Sequence, residues 1–241
     1  MNLCIDQGNS STKIGVFNGN KLIYTEQISQ PDDARIKEIL GAYQIRYSIL
    51  SSVICPSEAL NDMLMNSCEQ YVLLSHTLSL PVKISYKTPE TLGRDRLAAV
   101  VGAVSLKPAT DLLVIDAGTA ITYDFVDATG NYLGGNIAPG IHLRARALHE
   151  FTKQLPLVEV KKDVDFIGSD TSGAIQAGIL YGVVLEIDGY IERLMLKYPK
   201  LSVFLTGGSR FYFENKLKNR IFANENLVLI GLNQILQNNV Q

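Results

Sequence analysis

The sequence predicts an α/β protein made of two lobes on one plan, with a cleft between them. Three observations predict it. Short apolar runs alternate with amphipathic segments along the whole chain. A frame of two apolar residues, an aspartate, any residue and a glycine occurs at Asp6 and Gly8, and again 110 residues later at Asp116 and Gly118. Each copy then continues into small hydroxyl residues, a β-rich run and a second turn, "FNGNKL" in one half and "VDATGNYL" in the other. Self-similarity at such a distance implies two units of like build. "KPATD" marks the boundary, because Pro108 stops a helix and a new strand begins at Leu112. The expected lobes are therefore residues 1–109 and 110–241.

In the first lobe, Leu3, Cys4 and Ile5 form an apolar run suited to a strand covered on both faces. "QGNSST" is a polar turn, since Gly8 and Asn9 tolerate backbone angles that other residues resist. Three strands are expected over about residues 2–28. Helix "DDARIKEILGAY", strand "YSILSSVI", helix "SEALNDMLMNS" and strand "YVLL" follow. Pro81 and Pro89 bracket an irregular stretch, and a helix from Asp95 to Leu106 closes the lobe. The second lobe repeats three strands to Ile137. "APGI" is expected to start a helix reaching Glu150, with Pro139 near its first turn. A long helix over Thr171–Lys197, strand "LSVFLT" with a Gly-Gly turn, and helix "LIGLNQILQ" complete the chain.

Composition narrows the function classes. A chain of 241 residues with 46% hydrophobic content has enough apolar surface for two small cores or one large one. A net charge of −2 argues against general nucleic-acid binding, which requires a basic excess. Cys4, Cys55 and Cys68 lack C-x-x-C spacing and read as reduced thiols. No basic segment precedes a long apolar stretch at the N-terminus, and the run Leu97–Val104 is too short for a bilayer. The expectation is a cytoplasmic protein with no nucleic-acid or membrane partner.

The paired turns carry the chemistry. Gly-rich turns offer free backbone N–H groups to phosphate oxygens, and a nearby carboxylate can hold the accompanying metal. An ordinary hairpin with a polar tip is the plain alternative for the first turn alone. No G-x-x-x-x-G-K-[ST] or G-x-G-x-x-G motif occurs, so any nucleotide must bind by this other route. "GRDR" at Gly93–Arg96 places an acid and two arginines at the mouth of a helix. Asp95 reads either as a helix-end acid favoured by the dipole, or as a carboxylate that takes a proton from a substrate hydroxyl.

"DQGNSSTK", "GRDR", "DAGTAIT" and "GGNIAPG", in that order, resemble the type III pantothenate kinase family over nearly the whole chain. The resemblance implies duplicated ribonuclease H-like lobes of the actin-like ATPase superfamily. It implies ATP-dependent phosphorylation of pantothenate, the first step of coenzyme A synthesis, with Mg²⁺ and a monovalent cation, K⁺ or NH₄⁺. It also implies a homodimer with substrate near the subunit interface. Carried over by motif, Asp6, Gln7, Gly8, Asn9, Ser10, Ser11, Thr12 and Lys13 form the first ATP-binding turn, with Asp6 nearest Mg²⁺ or its waters. Asp95 is the general base. Tyr86, Gly93, Arg94, Asp95, Arg96 and Thr171 line the pantothenate site, Thr171 from the partner subunit. Asp116 binds the monovalent cation and Thr119 touches an ATP phosphate. Two positions depart from the usual motif: Gln7 stands where an aliphatic residue is commoner, and Arg94 where a small one is.

Other features have plainer readings. "LTGGSR" reads as an adenosine-side turn or an ordinary strand-to-helix turn. His142 and His149 read as surface or interface residues rather than ligands. Ala174, Gly178 and Gly182 form a small-residue stripe for close helix packing within the lobe or across a dimer. Two other functions compete with pantothenate phosphorylation. One is phosphorylation of a small polyol by a sugar kinase of the same superfamily, which is usually longer. The other is a non-catalytic transcriptional accessory role, which loss of the base would mark; Asp95, Asp6 and Asp116 are all present, which favours catalysis.

Overall fold

A computed structural model of the chain describes residues 1–8, 11–29, 32–53 and 57–240. Along the chain run β1 (Asn2–Gln7), β2 (Thr12–Asn18), β3 (Lys21–Ile28), α1 (Asp33–Ala42), β4 (Tyr47–Ser52), α2 (Glu58–Ser67), β5 (Gln70–Leu73), β6 (Lys83–Ile84) and α3 (Arg94–Leu106). Then come β7 (Leu112–Ala117), β8 (Ala120–Val126), β9 (Asn131–Pro139), α4 (Ile141–Glu150), α5 (Thr171–Met195), β10 (Ser202–Thr206), β11 (Phe222–Ala223) and α6 (Leu227–Asn239). Two mixed sheets result, ordered β3-β2-β1-β4-β5 and β11-β10-β7-β8-β9-β6. Read from β9, the second sheet repeats the first, with β6 added at its edge. The duplication legible in the sequence is thus a duplication of strand order.

By packing, the chain divides into two compact units. The first holds Met1–Ala109, Val126–Leu133 and the chain from Asn226 onward; the second holds Thr110–Phe125 and Gly134–Glu225. The first unit keeps the whole of residues 1–109 and adds two later segments. Its core gathers Leu3, Ile5, Ile14, Val16, Ile36, Ile39, Leu50, Leu60 and Leu64 between the first sheet and α1 and α2. These helices start where short polar side chains satisfy free amides: Asp32 accepts from the Arg35 amide and Ser57 from the Leu60 amide. The β1–β4 pairing is parallel and sets Asp6 opposite Ser51 and Gln7 opposite Ser52.

The helix α6 belongs to the first unit because two glycines let it lie against α3. A Cβ on Gly231 would fall 1.8 Å from the Ala98 carbonyl oxygen, and one on Gly102 2.2 Å from that of Leu227. Asn233 of α6 is buried and bonds both ways, accepting from the Asn2 amide group at 2.8 Å and donating to the Gly19 carbonyl at 3.0 Å.

The second unit packs α4 and α5 on its sheet. Ile175, Ile179, Val183, Ile187 and Ile191 form the buried stripe of α5. This 25-residue helix is long and apolar enough to cross a membrane by composition, but half of its apolar window lies inside the protein. The sequence expected "APGI" to start α4, with Pro139 near its first turn, and α4 does begin at Ile141. Pro139 ends β9 and Gly140 caps α4, its amide donating to the Thr119 carbonyl at 3.0 Å. Only glycine fits there: a Cβ would fall 2.3 Å from the Gly118 oxygen.

Candidate active site

In the first unit, the β1–β2 turn and the start of α3 bring two carboxylates together. Asp6 ends the buried run of β1 and keeps a partly solvent-facing side chain. Its pKa is raised to about 7, first by burial and then by the negative charge of Asp95, while the Ser51 hydroxyl and the Lys13 ammonium pull it the other way. Lys13 stands opposite Asp6 in the β1–β2 register. Past Asp6, the Gly8 amide closes the turn on the Ser11 carbonyl at 3.0 Å. Asn9 and Ser10 lie outside the described residues.

Gly93 caps α3 without a side chain. A Cβ at Gly93 would meet the Asp95 carboxylate at 2.6 Å, so glycine here makes room for that acid. Asp95 Oδ1 accepts from the Arg96 amide at 2.8 Å, so the helix-end reading of Asp95 describes one of its oxygens. Arg96 is 6% exposed, and its guanidinium lies 5.9 Å from the centre of the Tyr86 ring. Tyr86 in turn stacks on Tyr132 at 6.1 Å. Tyr86, Gly93, Asp95 and Arg96 thus form one neighbourhood. Arg94 turns toward β4 and donates from Nη1 to the Ser52 carbonyl at 3.1 Å.

The second unit repeats the turn around Asp116. The Gly118 amide donates to the Ala120 carbonyl at 3.0 Å, as Gly8 does in the first copy. The Gly-Gly turn after β10 presses against this acid. Gly207 has φ +92°, and a Cβ there would fall 2.4 Å from Asp116 Oδ1 and 2.5 Å from the Ala117 oxygen. "LTGGSR" is therefore built against the second aspartate, a role that the sequence reading of the motif did not include. Thr119 lies between Gly118 and β8, its carbonyl taken by Gly140.

Thr171 is the first residue of α5, capped by Asp170, whose carboxylate accepts from the Gly173 amide at 2.7 Å. It lines a largely apolar cavity of about 810 Å³ between α4 and α5, with Leu148, Phe151, Leu155, Ala174 and Gly178. A Cβ on Gly178 or Gly182 would meet nothing within 4 Å, so among the described residues no helix closes against either glycine. His149 Nδ1 lies 2.8 Å from the Leu155 carbonyl, and His142 stands edge-on to Tyr212, so the two histidines are separately engaged. Among the described residues, no group of three or more His, Cys, Asp or Glu side chains is arranged to hold a metal ion.

A profile of the type III pantothenate kinase family matches residues 2–193, and this decides the assignment. The chain belongs to the type III pantothenate kinase family. A type III pantothenate kinase of Phocaeicola vulgatus is 47% identical over 99% of both chains. One of Bacteroides fragilis is 46% identical over 99% of this chain and 98% of its own. Among solved structures, the activator of 2-hydroxyisocaproyl-CoA dehydratase from Clostridium difficile, with bound ADPNP, superposes with a TM-score of 0.53 over 99% of this chain and 93% of its own, at 12% identity. That likeness shows the fold alone, an α/β protein with two mixed sheets. The family's reaction uses ATP to phosphorylate pantothenate and opens coenzyme A synthesis.

Proposed function

We propose that this chain converts pantothenate to 4'-phosphopantothenate with Asp95 as the general base beside the first phosphate turn. The supporting observation is that Asp6 and Asp95, 89 residues apart in sequence, sit close enough for one charge to raise the other's pKa. Phosphoryl transfer depends mainly on positioning and charge neutralisation. In this reading Asp6, Gln7, Gly8, Asn9, Ser10, Ser11, Thr12 and Lys13, with Thr119 of the second turn, hold the ATP phosphates. The primary hydroxyl of pantothenate gives its proton to the Asp95 carboxylate as its oxygen bonds to the γ-phosphorus. The bond from that phosphorus to the β,γ-bridging oxygen breaks and ADP leaves. Tyr86, Gly93 and Arg96 orient pantothenate, the buried Arg96 supplying a cation for its carboxylate.

The donors present fit the two cations. Asp6 and Asp95 repel one another, a repulsion that Mg²⁺ held near Asp6 would relieve, and Mg²⁺ commonly takes one or two carboxylates plus substrate phosphates. Bound there, it would neutralise charge on the phosphates. On the second turn, the Asp116 carboxylate, with the Ala117 carbonyl close beside it at the Gly207 turn, would supply the oxygen donors that K⁺ or NH₄⁺ takes. A homodimer in the cytoplasm is part of this reading. Phe151, 85% exposed, and the apolar cavity beside Thr171 support a partner on the α4–α5 face.

An ADP-release assay with pantothenate, common sugars and glycerol, each with and without K⁺, tests the proposal. Turnover with pantothenate alone among these, raised by K⁺, is expected. Equal turnover with glycerol would favour the polyol reading.

A further inference from the structure

Gln7 and Arg94 converge on one residue, Ser52, at the end of β4. Gln7 follows Asp6 directly and is 3% exposed, although it carries a polar amide. Its Oε1 accepts from the Ser52 hydroxyl at 2.8 Å, a buried bond between side chains 45 positions apart. The next backbone step adds to it, since the Val53 amide donates to the Gln7 carbonyl at 3.1 Å. From the other side, Arg94 Nη1 donates to the Ser52 carbonyl at 3.1 Å. Arg94 precedes Asp95 in the first turn of α3, and Gln7 follows Asp6 at the end of β1.

We infer that Gln7, Ser52 and Arg94 form a brace that fixes the first phosphate turn to the start of α3 and so sets the spacing of Asp6 and Asp95. The inference rests on the reading of those two acids given above. Strand β1 and helix α3 are not neighbours in sequence, and β4 lies between their functional ends through the Gln7–Ser52 register. A charged donor to a carbonyl is among the stronger hydrogen bonds, and a buried amide without its partner is costly. The three residues therefore resist sliding of the α3 terminus along the strand ends. Ser51, the neighbour of Ser52, stands opposite Asp6 in the same register. Arg94 in this role is a positioning residue, because its guanidinium reaches back to the sheet. Displacement of a catalytic group by about 1 Å can lower turnover roughly a hundredfold, so a brace of this kind acts on kcat.

Steady-state kinetics of the full chain test this. Arg94→Met is expected to lower kcat roughly ten- to a hundredfold while leaving KM for pantothenate and for ATP within about twofold, and Arg94→Lys, which keeps a donor, to recover most of the loss. Ser52→Ala removes a single oxygen and leaves the Arg94 acceptor in place. It should reproduce the kcat loss of Gln7→Leu and carries the test if a larger substitution fails to fold. Because one brace is broken either way, Gln7→Leu with Arg94→Met should be no slower than the slower single variant. A raised KM for pantothenate with unchanged kcat in Arg94→Met would make Arg94 a substrate contact and overturn the inference. Losses that multiply in the double variant, or full kcat in Ser52→Ala, would overturn it too. Failure of the underlying reading is visible separately, as undiminished turnover in Asp95→Asn.

Discussion

The two Asp-x-Gly turns, 110 residues apart, are each closed by the amide of their glycine, on a carbonyl three residues on in the first and two residues on in the second, and then meet different surroundings. Gly8 and Gly118 each donate an amide across the turn at 3.0 Å. Thr12 and Thr122, again 110 apart, each bury a hydroxyl that has no hydrogen-bond partner among the described residues. Beyond that the copies diverge. Asp6 faces a second carboxylate, with a lysine and a serine hydroxyl beside it. Asp116 is walled in by the backbone of the Gly207 turn. The duplication supplied one frame, and the residues around each acid set its surroundings; in the proposed reading the first turn handles protons and phosphates and the second a monovalent cation.

The largest effect that would break this contrast is loss of the base. Asp95→Asn should reduce kcat by about 10²–10⁴-fold, the usual worth of general base catalysis. Its melting temperature should stay near that of the parent chain, because removing one of two mutually repelling carboxylates relieves strain rather than adding it. Coupled ADP release together with a thermal melt checks both halves. Near-parental turnover would leave the two turns chemically alike.

A smaller effect belongs to the second turn. Gly207→Ala must place a methyl against Asp116 Oδ1 and adopt a left-handed φ, so it should lose about 1–3 kcal/mol of stability. It should also lose most of the stimulation of turnover by K⁺. Gly208 offers the control: a Cβ there meets nothing within 4 Å, so Gly208→Ala should keep both stability and K⁺ stimulation. Denaturant melts and a K⁺ titration of both variants separate the cases. If Gly207→Ala keeps its response to K⁺, the turn around Asp116 is not where the cation acts.

Much of this contrast was legible beforehand. Apolar runs ending in Asp-x-Gly announced β1 and β7, and the 110-residue offset announced that the sheets repeat. The environments were not legible, for physical reasons. Ser52 reads like any strand-end serine, and only the β1–β4 register makes it the partner of Gln7. The pattern of α6 says that one face is buried but not against what; mid-helix glycines at 102 and 231 are the available signal, and they become informative only as a pair. With two residues, β6 is too short to show any period. Pro139 fits a helix start by composition, yet β9 continues through it because Gly140 is needed against the second turn.

The last comparison is read in stability and leaves turnover aside. Asp6 has a folded pKa raised from 3.8 to about 7. Between those values the folded chain holds a proton that the unfolded chain has released, so stability falls as pH rises from about 4 to about 7. In the nucleotide-free protein, the melting temperature should decline across that window, and Asp6→Asn should flatten the decline. Asp95→Asn removes the like charge and should end the decline at a lower pH. Asp127 is a useful reference, because it shifts the opposite way. Burial pushes its carboxyl up, but hydrogen bonds from Asn131 and Thr129 outweigh that and hold it at about 2. Its contribution is present above the ordinary carboxylate range and is lost only as pH falls toward 2, outside the Asp6 window. A decline between pH 4 and 7 that survives Asp6→Asn would place the titrating group elsewhere and remove the carboxylate pair as the feature that distinguishes the two turns.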